Sequence, residues 1–175
     1  GLEHFCGVLG GASSFYAPVG LKRNRDSSDN ELMNDENYYF TNAIGDEAIS
    51  FLQKSRVDQP FFLYLPFTAA HWPLHAPEDA IDSYRGKFSA GWDELRKKRL
   101  QKMKALGVIN RSVKLSPRHP MVPPWKDEKH KTWQERRMEV YAAQVTIMDR
   151  VIGEVIDQLR ESGQLQNTLT FFTID

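Results

Sequence analysis

The sequence is short of cysteine. Cys6 is the only one among 175 residues, so no internal disulfide can form, and neither a disulfide framework nor a cysteine zinc cluster is available. A prevailing charge is missing too: Lys and Arg number 23, and so do Asp and Glu. That excludes a chain-wide field drawing the protein to nucleic acid or an anionic membrane, and leaves partners to local features. No apolar run approaches the roughly 20 residues that span a bilayer. The opening GLEHFCGVLGG has neither the charged start nor the apolar middle of an export leader. A phosphate loop is also lacking: GVLGGA (7–12) is not followed by GK[ST] and no strand pattern precedes it, so its glycines read as turn residues.

What is there suits one compact α/β domain. The hydrophobic share of 41% is enough for a core without covalent staples. Residues 1–40 are rich in Gly, Ser, Asn and Asp and read as a loop-rich segment anchored by Phe5, Phe15 and Tyr16. From 41 to 76 the pattern becomes helix, strand, histidine. Ile44, Ala48, Phe51 and Leu52 recur at helical steps after Thr41, a candidate cap, and FFLYLPF (61–67) then has the continuous apolar character of a strand in a parallel sheet. Residues 77–131 form an insertion. Within it GWDELRKKRLQKMKALG (91–107) predicts a helix with acids in its first turn, while the four prolines of SPRHPMVPPWKDEKHK (116–131) predict an extended connector pinned by Trp125. The six bases from Arg96 to Lys104 read as a solvated face opposite Trp92, Leu95, Met103 and Leu106.

Residues 132–175 carry the clearest periodicity. Thr132 to Glu135 matches a capping box, and Met138, Tyr141, Val145, Met148, Ile152, Val155 and Leu159 step by three and four up to Ser162 and Gly163. TLTFFTID (168–175) follows as a second buried strand. Helix and strand, a long connection, then helix and strand again predict a mostly parallel sheet flanked by helices. Starting at Gly1 and stopping on an apolar strand, the chain is expected to be an incomplete domain, part of a larger one.

In such sheets chemistry gathers beyond the carboxyl ends of the strands. The first strand leads to His71 in TAAHWPLHAP (68–77) and the second delivers Asp175, so the two are expected at one rim of the sheet. His71 reads either as a site residue or as a packed histidine. His75 reads as a rim residue or nothing more, and Asp175 as a metal or catalytic carboxylate or a strand-end cap. A zinc pair of His71 and His75 is disfavoured because Pro73 and Pro77 prevent a regular helix there. His4, His119 and His130 have no acidic or nucleophilic partner nearby in sequence.

FFLYLPFTAAHWPLHAP, GWDELRKKRLQKMKALGVI, VPPWKD with RRMEVYAAQVTIMDRVIGEVIDQL, and NTLTFFTID resemble, in order, segments of the formylglycine-dependent sulfatases, in the arylsulfatase branch of the alkaline phosphatase superfamily. The opening GLEHFCGVLGGASSFY is similar to that family's Gly-aromatic-Asp-x-Phe-x-Gly segment, so the likeness covers nearly the whole chain. The resemblance implies an alkaline phosphatase-like α/β fold and hydrolysis of a sulfate monoester, small or carbohydrate, by a formylglycine nucleophile with a divalent ion, calcium or magnesium. By the AHWP motif, His71 is the residue that assists departure of the alcohol; His75 is read beside it as a candidate substrate-rim residue. By the FF-x-[ST]-Asp-Asn-Gly motif, Asp175 is a metal ligand, although Ile174 stands where a small hydroxyl residue is usual.

The family's Asp-Asp metal pair, its CxPSR or SxPSR modification motif and its GKWH-type motif do not occur in these 175 residues. Cys6, in FCGVLG, is read as a structural thiol. The nucleophile and most metal ligands are therefore expected from the remainder of the catalytic domain. Nucleic acid and a membrane span are not expected, and a periplasmic or secreted setting is what the resemblance implies. Two rivals stand beside this reading: a phosphate or phosphonate ester hydrolase of the same superfamily, and a non-catalytic module that keeps the fold.

Overall fold

The structure, a computed structural model, describes residues 3–10, 13–24, 26–27, 36–56 and 58–173. They fall into two compact units, Gly1–Ala76 with Gln144–Asp175, and Pro77–Ala143.

The first unit opens with an antiparallel sheet of β1 (Cys6–Val8), β2 (Leu21–Arg23) and β3 (Asp26–Ser27), in the order β1-β2-β3. Cys6 faces Arg23, Val8 faces Leu21, and Lys22 faces Ser27. Asn24 continues the pairing beyond β2. Its backbone N–H donates to the Phe5 carbonyl at 2.7 Å and its Oδ1 accepts from the Phe5 N–H at 3.0 Å. At φ 58° it occupies the left-handed region that Asn tolerates better than most residues. This sheet corrects the reading of residues 1–40 as loop: Gly7 and Val8 of GVLGGA belong to β1 itself. Strands of two and three residues are too short to show the alternation by which strands are recognised.

Helix α1 (Phe40–Lys54) starts two residues earlier than a Thr41 cap would place it. Tyr39 holds the extended cap position, and Thr41 is completely buried inside the first turn. Leu21, Tyr38 and Phe40 form a small core with Val8, Ala43 and Ile44, which ties α1 to the sheet. Helix α4 (Lys131–Glu161) likewise begins before its proposed capping box, so Thr132 is already helical. It ends as read. The Gln164 N–H donates to the Leu159 carbonyl at 2.9 Å, with Gly163 at φ +73° making the left-handed turn.

Helices α1 and α4 pack through Ala48, Leu52, Val155 and Leu159. Arg150 donates to Asn42 at 2.9 Å near one end of the contact and Gln53 to Gln158 at 3.0 Å near the other, so the residue numbers rise together and the helices run parallel. Gly45 makes this approach close: a methyl there would lie 2.3 Å from Val151 Cγ1. Phe61, Leu63, Leu65 and Leu165 pack against the same cluster.

The segments read as parallel strands, 61–67 and 168–173, have no ladder partners among the described residues, and the ladder that is formed, β1-β2-β3, is antiparallel. Residues 61–67 nevertheless alternate strictly between half-buried and exposed, the period-two signature of a strand with one face covered. The uncovered face is apolar: Phe62 is 73% exposed and Tyr64 67%. In the second segment Leu169 is 80% exposed, Phe171 79% and Phe172 67%. The expected burial on both faces is thus not met: among the described residues no further strand or layer covers these side chains.

The second unit contains α2 (Glu78–Asp82), α3 (Gly91–Ala105), the connector with a 3-10 turn at Trp125–Asp127, and residues 131–143 of α4. Arg136 on α4 pairs with Glu78, and lies 3.9 Å from Asp82 and 3.3 Å from Glu139. Buried Glu139 also accepts the Gly86 N–H at 2.8 Å, so its charge is met from two sides. Trp125 pins the connector as expected. Its ring meets Trp92 edge-on at 4.7 Å, its N–H donates to Asp93 Oδ2 at 2.8 Å, and Trp92 Nε1 donates to the Pro123 carbonyl at 3.0 Å. The Trp125 amide, then the Arg118 guanidinium at 3.0 Å, hold the Asp93 carboxyl below the usual carboxylate range.

Candidate active site

His71 sits in a turn that leaves the half-covered segment 61–67. The His71 N–H donates to the Thr68 carbonyl at 2.8 Å and closes the turn, in which the Ala69–Ala70 and Trp72–Pro73 peptides are cis. The imidazole is exposed, and Nδ1 lies 2.7 Å from the Trp72 carbonyl. A carbonyl only accepts, so Nδ1 carries the proton and Nε2 is the ring nitrogen left for other chemistry. In the neutral ring Nε2 is an acceptor; it donates only once the ring is an imidazolium.

His75 is held differently, in an aromatic nest within the same unit. Its ring lies 6.2 Å from Phe15, edge to face, and 5.8 Å from Tyr16. Phe15 stacks on Tyr39 at 5.7 Å, and the Tyr39 hydroxyl donates to the His75 carbonyl at 2.9 Å. Burial pushes the Tyr39 phenol up to about 12, so it remains a donor through the neutral range. The nest fixes the far end of the turn that carries His71. Sequence reading missed Phe15, Tyr16 and Tyr39 as its supports. The signal available was the pair Tyr38–Tyr39 directly before a helix, where rings must turn inward.

Two polar atoms of this turn, Thr68 Oγ1 and His75 Nδ1, are buried without a hydrogen-bond partner among the described residues. Buried polar groups in folded proteins are nearly always paired, so such atoms mark places where a partner group belongs. Asp175, expected beside His71, lies outside the described residues, as does Ile174. No group of three or more His, Cys, Asp or Glu that could hold a metal ion occurs among the described residues.

Cys6 on β1 is half-buried and free. Burial, then the charge of Glu47, pushes its thiol up, against a smaller opposing effect from Arg23. A nucleophilic cysteine needs the opposite, because the thiolate is the reactive form. Cys6 is accordingly expected to alkylate with iodoacetamide at pH 7.5 several-fold more slowly than free cysteine, about fivefold or more. A rate equal to or above that of free cysteine would contradict its structural assignment.

Comparison with known proteins matches this arrangement to one family. The profile described as Sulfatase covers residues 1–175. The chain is 41% identical over 163 residues to an uncharacterized sulfatase of Schizosaccharomyces pombe, covering 91% of this chain and 29% of that protein. It is 30% identical over 186 residues to an arylsulfatase of Klebsiella aerogenes, covering 100% of this chain and 39% of that one. It thus spans well under half the length of these relatives. Among solved structures, Ps i-CgsB in complex with k-i-k-neocarrahexaose superposes with a TM-score of 0.55 at 19% identity, over 93% of this chain and 29% of that one, a likeness of fold. The 175 residues belong to the sulfatase family.

Proposed function

We propose that the chain is the central portion of a sulfatase catalytic domain and that the intact protein hydrolyses sulfate monoesters, with His71 at the departing alcohol. The observation that carries this is the His71 ring: exposed, held through Nδ1 by a backbone carbonyl, and presenting Nε2. When the S–O bond to the alcohol breaks, the electron pair stays on the alcohol oxygen. An imidazolium donating from Nε2 supplies the proton or hydrogen bond that this oxygen needs.

Formylglycine would supply a hydrated aldehyde oxygen as the nucleophile toward sulfur. No residue here fits it, since Cys6 lies outside the modification motif and its thiol is half-buried. Its proposed source is the remainder of the domain. A divalent ion, calcium or magnesium, is proposed with Asp175 as one oxygen ligand. Calcium takes about six to eight oxygens, and the described residues gather no three candidate ligands, so the other ligands are also assigned outside them. His75 is proposed at the substrate rim, with its buried Nδ1, unpartnered among the described residues, left to pair with a group outside them.

The parallel course of α1 and α4, each followed by an extended apolar segment, supports 61–67 and 168–173 as strands of a parallel sheet completed by other strands. A right-handed crossover returns successive helices to one face of such a sheet in the same direction. Sulfated sugars are the favoured substrate class, in keeping with the oligosaccharide complex of the fold neighbour.

The intact enzyme should hydrolyse nitrophenyl sulfate at least about 100-fold more efficiently than nitrophenyl phosphate, ~2.7 kcal/mol of discrimination. Equal or reversed efficiencies would give the chemistry to phosphate esters.

A further inference from the structure

The neutrality of the chain hides a division of charge. Residues 77–143 hold 16 of the 23 Lys and Arg but only 9 of the 23 Asp and Glu, which leaves that unit at +7 and the rest of the chain at −7 with His neutral. The excess concentrates on α3 and the connector after it.

Like charges three and four residues apart on a helix repel and cost stability. Lys98, Arg99 and Lys102 are such a set, all exposed, with no carboxylate within ion-pair distance among the described residues. The acids of α3 are committed elsewhere: Glu94 to Lys97 at 2.7 Å and Asp93 to Arg118 at 3.0 Å. A merely solvated face would be expected to mix signs; this one stays uncompensated.

Beside it lies an open cleft of about 360 Å³, lined by Trp92, Arg96, Ser116, Arg118 and His119 among others. Arg96 is one helical step from Arg99. Its Nη2 is held by the Ser116 carbonyl at 2.8 Å and Ser116 Oγ at 3.1 Å, which fixes the guanidinium before any ligand arrives. The His119 Nδ1 accepts the Met121 N–H at 3.3 Å, so the neutral ring carries its proton on Nε2 as a donor. Trp92 adds an apolar ring to these donors. Fixed guanidinium, imidazole donor and indole in one shallow cleft, continuous with a row of free cations, suit a sugar ring bearing sulfate within an anionic polymer.

We propose that α3 and the connector form an anchoring surface for a sulfated polysaccharide, used to hold a polymeric substrate rather than to cleave it. This rests on the sulfatase reading and specifies its substrate as a polymer. Single-stranded nucleic acid is less well suited, since its binding uses successive exposed aromatic platforms and the cleft offers the one indole of Trp92, half-buried against Trp125; duplex DNA is decided by the test.

The test uses the intact enzyme and the triple variant Lys98→Glu, Arg99→Glu, Lys102→Glu, with sulfated dextran, unsulfated dextran, duplex DNA and phosphatidylserine vesicles as probes across a salt series. Expected is binding of sulfated dextran that the variant weakens at least tenfold at 50 mM salt, with a shallower salt dependence and unchanged turnover of nitrophenyl sulfate. Arg96→Ala should weaken the same binding with the helix face intact. Equal binding by wild type and triple variant, or binding of DNA or vesicles as tight as that of sulfated dextran, would overturn the proposal while aryl sulfate turnover persisted. Loss of aryl sulfate turnover in the wild type would instead overturn the sulfatase reading, and the substrate role of this surface with it.

Discussion

Replacing His71 by Ala in the intact enzyme is expected to slow hydrolysis of alkyl sulfates by about 100- to 10,000-fold, the range of a lost general acid, and that of nitrophenyl sulfate by about tenfold or less. The difference follows from the leaving groups. A nitrophenolate is stable without a proton, whereas an alkoxide must be protonated as the S–O bond breaks. Only the imidazolium can donate from Nε2, because Nδ1 is already committed to the Trp72 carbonyl at 2.7 Å. His71→Gln, whose amide still donates, should recover part of the nitrophenyl rate but little of the alkyl rate. Steady-state kinetics on a series of leaving groups decides the matter. A uniform loss across the series would remove His71 from proton donation and leave it as a binding residue.

The second large effect is structural. Gly91→Ala is expected to destabilise the second unit by about 2–4 kcal/mol, for two independent reasons. Gly91 opens α3 at φ +71°, where an L side chain is strained by roughly 1–2 kcal/mol. Its absent Cβ also makes room for Trp125: a methyl would lie 2.0 Å from both Cγ and Cδ2 of the indole. The ring cannot withdraw without losing its edge contact with Trp92, and the backbone cannot yield instead without pulling the Trp125 amide N–H from Asp93. Thermal unfolding and tryptic cleavage of the connector should both report the change. In a Trp125→Ala background the clash disappears, so Gly91→Ala should then cost only the backbone strain. A cost within about 0.5 kcal/mol in the wild-type background would show that the approach of Trp125 is not what demands glycine there.

The helices were legible because each had to bury one face, and a face repeats at three and four residues. The stripe through Val155 and Leu159 on α4 meets Ala48 and Leu52 on α1, as that periodicity requires. Their starts were not legible. Thr41 and Thr132 have the chemistry of caps, yet tertiary packing buries Thr41 within its helix, and α4 begins one residue before Thr132 in an exposed first turn. The small sheet escaped because three residues cannot display a period of two.

At the candidate site, the position of His71 just beyond an apolar segment was legible, but the sequence left it open between a site residue and a packed histidine, and the nest around His75 was not legible at all. Rings from residues 15, 16 and 39 meet residue 75 only once the chain has folded back, and nothing local in TAAHWPLHAP announces them. The charge division was hidden by the opposite cause: a whole-chain balance of 23 against 23 averages away what the two units keep apart.

The bare side of 61–67 bears on how the protein is made. Phe62, Tyr64, Leu169, Phe171 and Phe172 would offer neighbouring molecules a greasy, extended template until the strands proposed to complete the sheet cover them. On the ribosome that interval is a matter of seconds per domain. These two stretches are therefore where holding chaperones would engage the nascent polypeptide, and where inclusion bodies would nucleate if synthesis ran ahead of folding.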